Sequence, residues 1–243
     1  MYQFSEEDLN YRQFFRFNKK WVVDMNWAML SLAAKAVLPV ILSFDNGKGQ
    51  SWPSEETIST LSGLSCKTVR KGIDHLLSMA GFSFDWQMTA TGRKSKKFKF
   101  EVPGKDDPVF FFHKVIFTGG NWRLLKPVGK AVYPVLRSFA AWDKDEAAEL
   151  ADGLGDDSEF KEAYAARQWE YSELMPGDIA KYSGIERARV YGALKDLTNH
   201  FFTERCRERW KVFLLPQQYY KRDFLNEQLM KSFSHKLKES END

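Results

Sequence analysis

Cysteine is scarce in this chain: Cys66 and Cys206 are the only two in 243 residues, and they stand far apart. Such spacing offers neither a disulfide framework nor a metal-ligand pair, so two reduced thiols in an intracellular protein are expected. The four histidines, His75, His113, His200 and His235, are scattered and form no metal-binding spacing. The sequence has no GxxxxGK[ST] phosphate loop and no GxSxG nucleophile elbow. Tyr219 and Tyr220 have no histidine pair beside them to support a nicking reaction, and read as packing aromatics. Carboxylates are abundant, but they cluster in an acidic stretch with no apolar pocket to tune them. A protein that is not an enzyme, with no cofactor and no metal, is the expectation. No apolar run approaches the roughly 18 residues of a membrane span. The opening MYQFSEEDLNYRQ has no basic segment followed by an apolar one. A cytoplasmic location without membrane contact follows as the expectation.

Apolar side chains are plentiful. Hydrophobic residues make up 43% of the chain and aromatics 15%, enough for a dense core and too much for a chain disordered by composition. The net charge of +3 says little about partners by itself.

The chain repeats itself. AKAVLPVILSF (34–44) returns as GKAVYPVLRSF (129–139), and the ungapped alignment of 17–44 with 112–139 holds twelve identities in twenty-eight positions. They include Asn26/Asn121, Trp27/Trp122, Lys35/Lys130 and Pro39/Pro134. A second echo sets ISTLSGLSCKTV (58–69) against IAKYSGIERARV (179–190). The offset grows from 95 to 121 because the second copy carries an insertion, 143–170. Self-similarity of this kind marks a repeated structural unit.

In the first copy, Leu32, Ala36, Val37, Val40, Ile41 and Phe44 recur at helical intervals after a candidate N-cap, Ser31. Pro39 should bend that helix. Ser54 can cap a short helix with Glu55 and Glu56 in its first turn and Ile58 and Leu61 facing inward. Gly63 supplies a tight turn and Ser65 a second cap. The following helix, 66–79, is expected to bury Val69, Ile73, Leu76 and Leu77 and to end at Gly81. FSFDWQM (82–88) and FKFEVPG (98–104) alternate as strands around TATGRKSKK. Two helices joined by a glycine turn and followed by a hairpin make a winged helix-turn-helix. The second copy repeats the order as helices 127–139, 176–182 and 186–199, then FFTERC and KVFLL around RERW.

The run KAVLPVILSF…SWPSEETISTLSGLSCKTVRKGIDHLLSMAGF resembles the winged helix-turn-helix domain of bacterial plasmid and phage replication proteins. The match rests on Trp52, Pro53, Ser54, Ile58, Gly63, Leu64, Ser65, Thr68 and Val69. The second copy lacks Trp-Pro-Ser and has Arg189-Val190 where the first has Thr-Val. The expected fold is therefore mainly α with small β wings (α+β), as two tandem winged helix-turn-helix domains related by internal duplication. The expected boundaries are an N-terminal extension 1–16, domains 17–105 and 106–216, and a helical tail 217–243. In that tail Leu225, Leu229, Phe233 and Leu237 form a stripe that either packs on the second domain or makes a homodimer.

In this fold the second helix reads base edges while the wing grips phosphates. The first copy offers Lys67, Thr68, Arg70 and Lys71 on the helix, with Cys66 and Asp74, and Arg93, Lys94, Lys96, Lys97 and Lys99 on the wing. Residues 67–105 hold nine basic against three acidic side chains, a net of +6, the footprint of a double-stranded DNA face. The second copy offers Arg187, Arg189, Tyr191 and Lys195, then Arg205, Arg207, Arg209 and Lys211. Glu186, Asp196, Glu204 and Glu208 dilute its field, leaving DNA and protein open as its partner. The insertion 143–170 nets −7 and is either a solvated helical excursion or a contact for a basic partner. The resemblance implies an initiator that binds repeated origin sequences and recruits host replication proteins. A promoter-binding regulator acting as a dimer and a winged-helix assembly scaffold are the alternatives.

Overall fold

The fold is that of a computed structural model, which describes residues 14–79, 81–88, 92, 94–141 and 169–216. The N-terminal residues 1–13, Arg93, the insertion from 142 to 168 and the tail from 217 onward lie outside the described residues.

The described elements run β1 (Phe14–Asn18), α1 (Lys20–Val23), α2 (Asn26–Met29), α3 (Leu32–Ser43), β2 (Gln50–Ser51), α4 (Glu55–Ser62), α5 (Cys66–Leu76), β3 (Phe82–Met88) and β4 (Lys94–Phe100). The same order then returns as β5 (Val109–His113), α6 (Val115–Thr118), α7 (Asn121–Leu124), α8 (Pro127–Ser138), β6 (Trp169–Ser172), α9 (Pro176–Ser183), α10 (Arg187–Asn199), β7 (Thr203–Cys206) and β8 (Arg209–Phe213). Helices and small antiparallel sheets, an α+β architecture, make up the described structure.

The three caps expected in the first half are made: the hydroxyls of Ser31, Ser54 and Ser65 accept from the backbone N–H groups of Ala34, Thr57 and Thr68. Pro39 and Pro134 sit inside α3 and α8, and each helix continues for a further turn beyond its proline. The sheets are the pair β1–β5 and the two wings β2–β4–β3 and β6–β8–β7.

Three strand and helix ends differ from expectation. Helix α5 stops at Leu76, because Ser78 and Met79 bond back to His75 and Leu76 in tight turns; Leu77 is consequently 40% exposed. Gly81, at φ +79, opens the hairpin and does not end the helix. Strand β4 begins at Lys94, since pairing of Phe82 with Phe100 and of Met88 with Lys94 leaves five residues for the loop. In the second wing Arg209 and Trp210 belong to β8, and Arg207-Glu208 alone make the turn, with Arg207 at φ 53.

The two halves share one core. Strand β1 pairs with β5 across them, beginning inside the expected extension 1–16. Trp27 and Trp122, both fully buried, lie in one continuous apolar cluster with Phe17, Phe112, Val37 and Val132. Lys35 and Lys130 are buried at equivalent positions. The Lys35 ammonium donates to the carbonyls of Leu30 and Ala28, and that of Lys130 to those of Leu125 and Ser62. Burial pulls both groups down to about 8.

Candidate nucleic-acid interface

The first candidate surface, the first head, is built on α4 and α5. Gly63 takes φ +69 between them, a left-handed conformation that suits glycine. Val69, Ile73 and Leu76 are fully buried and Gly72 lets α5 approach the backbone of α3 closely: a Cβ there would meet Ala33 carbonyl atoms at 3.0 Å. The backbone N–H of Ser31 donates to Nδ1 of His75 at 2.9 Å, tying the start of α3 to the last turn of α5. With that face inward, Lys67, Arg70, Lys71 and Asp74 are exposed, and Cys66 and Thr68 are half-buried. The Thr68 hydroxyl stays beside Ser65 at 2.9 Å.

Glu55 connects α5 to the wing. Its carboxylate accepts from Nε of Arg70 at 2.6 Å and from Nζ of Lys96 at 2.8 Å. Partial burial pushes this carboxyl up, but the hydrogen bonds and charges of Lys96 and Arg70 outweigh it and hold it below its ordinary value. The two cations are not equivalent. The Arg70 side chain is 62% exposed, whereas that of Lys96 is 13% exposed and lies over the rings of Phe84 and Trp86. Lys96 therefore serves as a strut and not as an open phosphate contact, because strand alternation turns it to the face of Phe84 and Trp86. Lys97 projects from the other face over Trp52, Lys99 pairs with Asp85 at 2.5 Å, and Lys94 is exposed near the hairpin end.

The second head uses α9 and α10 around Gly184, at φ +65. Val190, Ala193, Leu194 and Leu197 are buried. Arg187, Arg189, Tyr191 and Lys195 share the exposed side, with Tyr191 65% exposed. None of the three cations has an ion pair with a described residue. Two acids counted as surface charge, Asp196 in this head and Glu170 in the insertion, point inward instead. Asp196 is buried and accepts from the backbone N–H of Lys126 at 2.8 Å, capping α8 from outside. Glu170 is buried against Arg137 at 2.9 Å, joining β6 to α8, so it belongs to the core and not to the acidic surface of the insertion. In the second wing, Arg209 lies over Tyr171 at 3.8 Å, Lys211 over Trp169 at 3.7 Å and Arg205 over Trp210 at 4.9 Å. Arg207 is exposed at the turn.

The struts Glu55 and Asp196 were invisible as such in sequence. Their partners are 15, 41 and 70 residues away. Among the described residues no cluster of three or more His, Cys, Asp or Glu could hold a metal, and no helix is long and apolar enough to cross a membrane.

Residues 28–79, from α2 through the turn after α5, match the family model of a helix-turn-helix domain. Neither a curated protein nor a solved structure gives a significant match to the chain.

Proposed function

We propose that the protein binds double-stranded DNA sequence-specifically through two tandem winged helix-turn-helix units that arose by duplication. It acts without catalysis, as a replication initiator of the plasmid or phage type. The observation that carries DNA binding is the first head itself: a helix-turn-helix whose exposed Lys67, Arg70 and Lys71 are held in register with a basic wing by Glu55. A merely solvated charge run needs no such bracket. The replication role is supported by the likeness of the segment from Trp52 to Val69 to initiator domains, with host replication proteins as partners.

Selection of bound duplexes from a random pool at near-physiological salt tests sequence reading, and a defined motif is expected. Replacing Lys67 and Lys71 together by Ala should weaken binding about tenfold and lower the salt slope by about two. Unchanged binding at moderate salt would remove the assignment of this face. A promoter-binding regulator uses the same surface; sites repeated at an origin support initiation, and a single site over a promoter overturns it.

A further inference from the structure

The contacts between the halves are reciprocal. Nε1 of Trp27 donates to the carbonyl of Ala131 at 2.9 Å, and Nε1 of Trp122 donates to the carbonyl of Ala36 at 2.9 Å. Trp27 and Trp122, like Ala36 and Ala131, are equivalent under the 95-residue offset, so one bond is the image of the other. Strand pairing obeys the same rule. The pair Phe17–Phe110 maps onto Phe112–Phe15, and Arg16–Phe111 maps onto itself. The turn glycines follow: a Cβ on Gly63 would meet the carbonyl oxygen of Arg123 at 2.5 Å, and one on Gly184 would meet that of Ala28. A head-to-tail arrangement would place one patch of the first half on a different patch of the second. Mutual contacts between equivalent patches require an approximate two-fold axis, here running through Arg16–Phe111.

That axis also relates α5 to α10. Their buried positions coincide under the 121-residue offset, Val69 with Val190, Ile73 with Leu194 and Leu76 with Leu197. The positions outside that buried stripe do not. Cys66, Lys67, Thr68, Arg70, Lys71 and Asp74 meet Arg187, Ala188, Arg189, Tyr191, Gly192 and Lys195. The charge of the last pair is opposite, and the reading chemistry has little in common.

Resting on the DNA-binding reading above, we infer that one chain recognises a composite duplex site made of two unlike half-sites in inverted orientation at a fixed spacing. In oligomeric helix-turn-helix proteins the symmetry of the operator mirrors the two-fold of the dimer. Here the two-fold lies within a single chain, and the divergence of its two helices removes the palindrome while keeping the inversion. The core that the two halves share holds the spacing constant.

The test exchanges one helix face for the other. In the variant carrying R187C, A188K, R189T, Y191R, G192K and K195D, α10 presents the residues of α5 that lie outside its buried stripe. All six positions are exposed, and an added Cβ at Gly192 would meet nothing within 4 Å, so α10 is expected to remain helical. Motif selection with the unmodified full chain should return two unlike half-sites, and with the variant an inverted repeat of the half-site that Lys67→Ala abolishes. A direct repeat from the variant would overturn the inversion. A single half-site from both proteins would overturn reading by the second head while leaving DNA binding intact. No motif from the unmodified chain would remove the DNA-binding reading itself. Should the exchanged helix fail to fold by thermal melting, Arg189→Ala alone still decides whether the second head reads a half-site. It should erase the preference at the second half-site and keep the first, and loss of neither overturns the proposal.

Discussion

The two heads share a fold and orient their cations differently. In the first, Arg70 and Lys96 converge on Glu55, and Lys99 pairs with Asp85. In the second, Arg187, Arg189 and Lys195 stand without an ion pair to a described residue, and the wing cations Arg205, Arg209 and Lys211 rest on aromatic rings. The first wing is also longer: seven-residue strands against four and five, a difference in reach of about 10 Å at the rise of an extended strand. Helix ends differ too. Ser31, Ser54 and Ser65 cap their helices locally, whereas Lys126, Met175 and Glu186 give no side-chain cap, and Asp196 serves Lys126 from another helix. Two surfaces built on one plan can thus keep the same buried stripe and differ in every device that aims the exposed one.

The largest expected effect breaks the likeness at the turns. Gly63→Ala and Gly184→Ala each force a side chain into a left-handed conformation against a backbone carbonyl of the opposite half. Each should cost about 3–5 kcal/mol of stability, measured by denaturant unfolding. Gly184 should suffer more because its added Cβ would lie closer to the carbonyl, and equal losses would show the halves to be interchangeable there.

Next comes the pair of buried lysines, where the halves should behave alike. Lys35 and Lys130 titrate near 8 in the folded protein and near 10.5 when unfolded. Between those values the unfolded state binds more protons, so stability should rise with pH from about 8 to 10, by on the order of 2–3 kcal/mol per lysine. By about pH 11 the trend reverses, because burial pushes the Tyr133 hydroxyl up to about 12 and its unfolded form ionises first, while the unfolded lysines have by then lost most of their protons. Lys35→Met and Lys130→Met should each halve the alkaline gain. A gain carried wholly by one lysine would break the equivalence.

The smallest effect sharpens the difference at the helix ends. Ser54→Ala and Ser65→Ala should each cost about 1 kcal/mol. Glu186→Ala, at the position equivalent to Ser65, should leave thermal stability within about 0.5 kcal/mol of the original.

Much of the first half was legible because its signals are local. A serine cap acts over three residues, and a buried stripe repeats every three or four, so Ser31, Ser54, Ser65, Val69 and Ile73 announced their roles. Strand ends were less legible: FKFEVPG alternates well, but pairing with β3 drew the strand back to Lys94. The charges misled most. Lys96, Asp196 and Glu170 counted as surface charge in the sequence, and each proved to be a strut whose partner lies on a different element.

The sequence by itself determined that one pattern is written twice, which helices pair through a glycine turn, and where positive charge gathers. Those are properties of spacing and residue type, and neighbouring residues suffice to express them. Only the tertiary structure decided how the halves face each other and which cations are free. The bond from Trp27 to Ala131 spans 104 residues and its image from Trp122 to Ala36 spans 86. No local preference encodes such a contact; it forms because two apolar faces close on each other and each buried indole N–H then needs an acceptor on the opposite side.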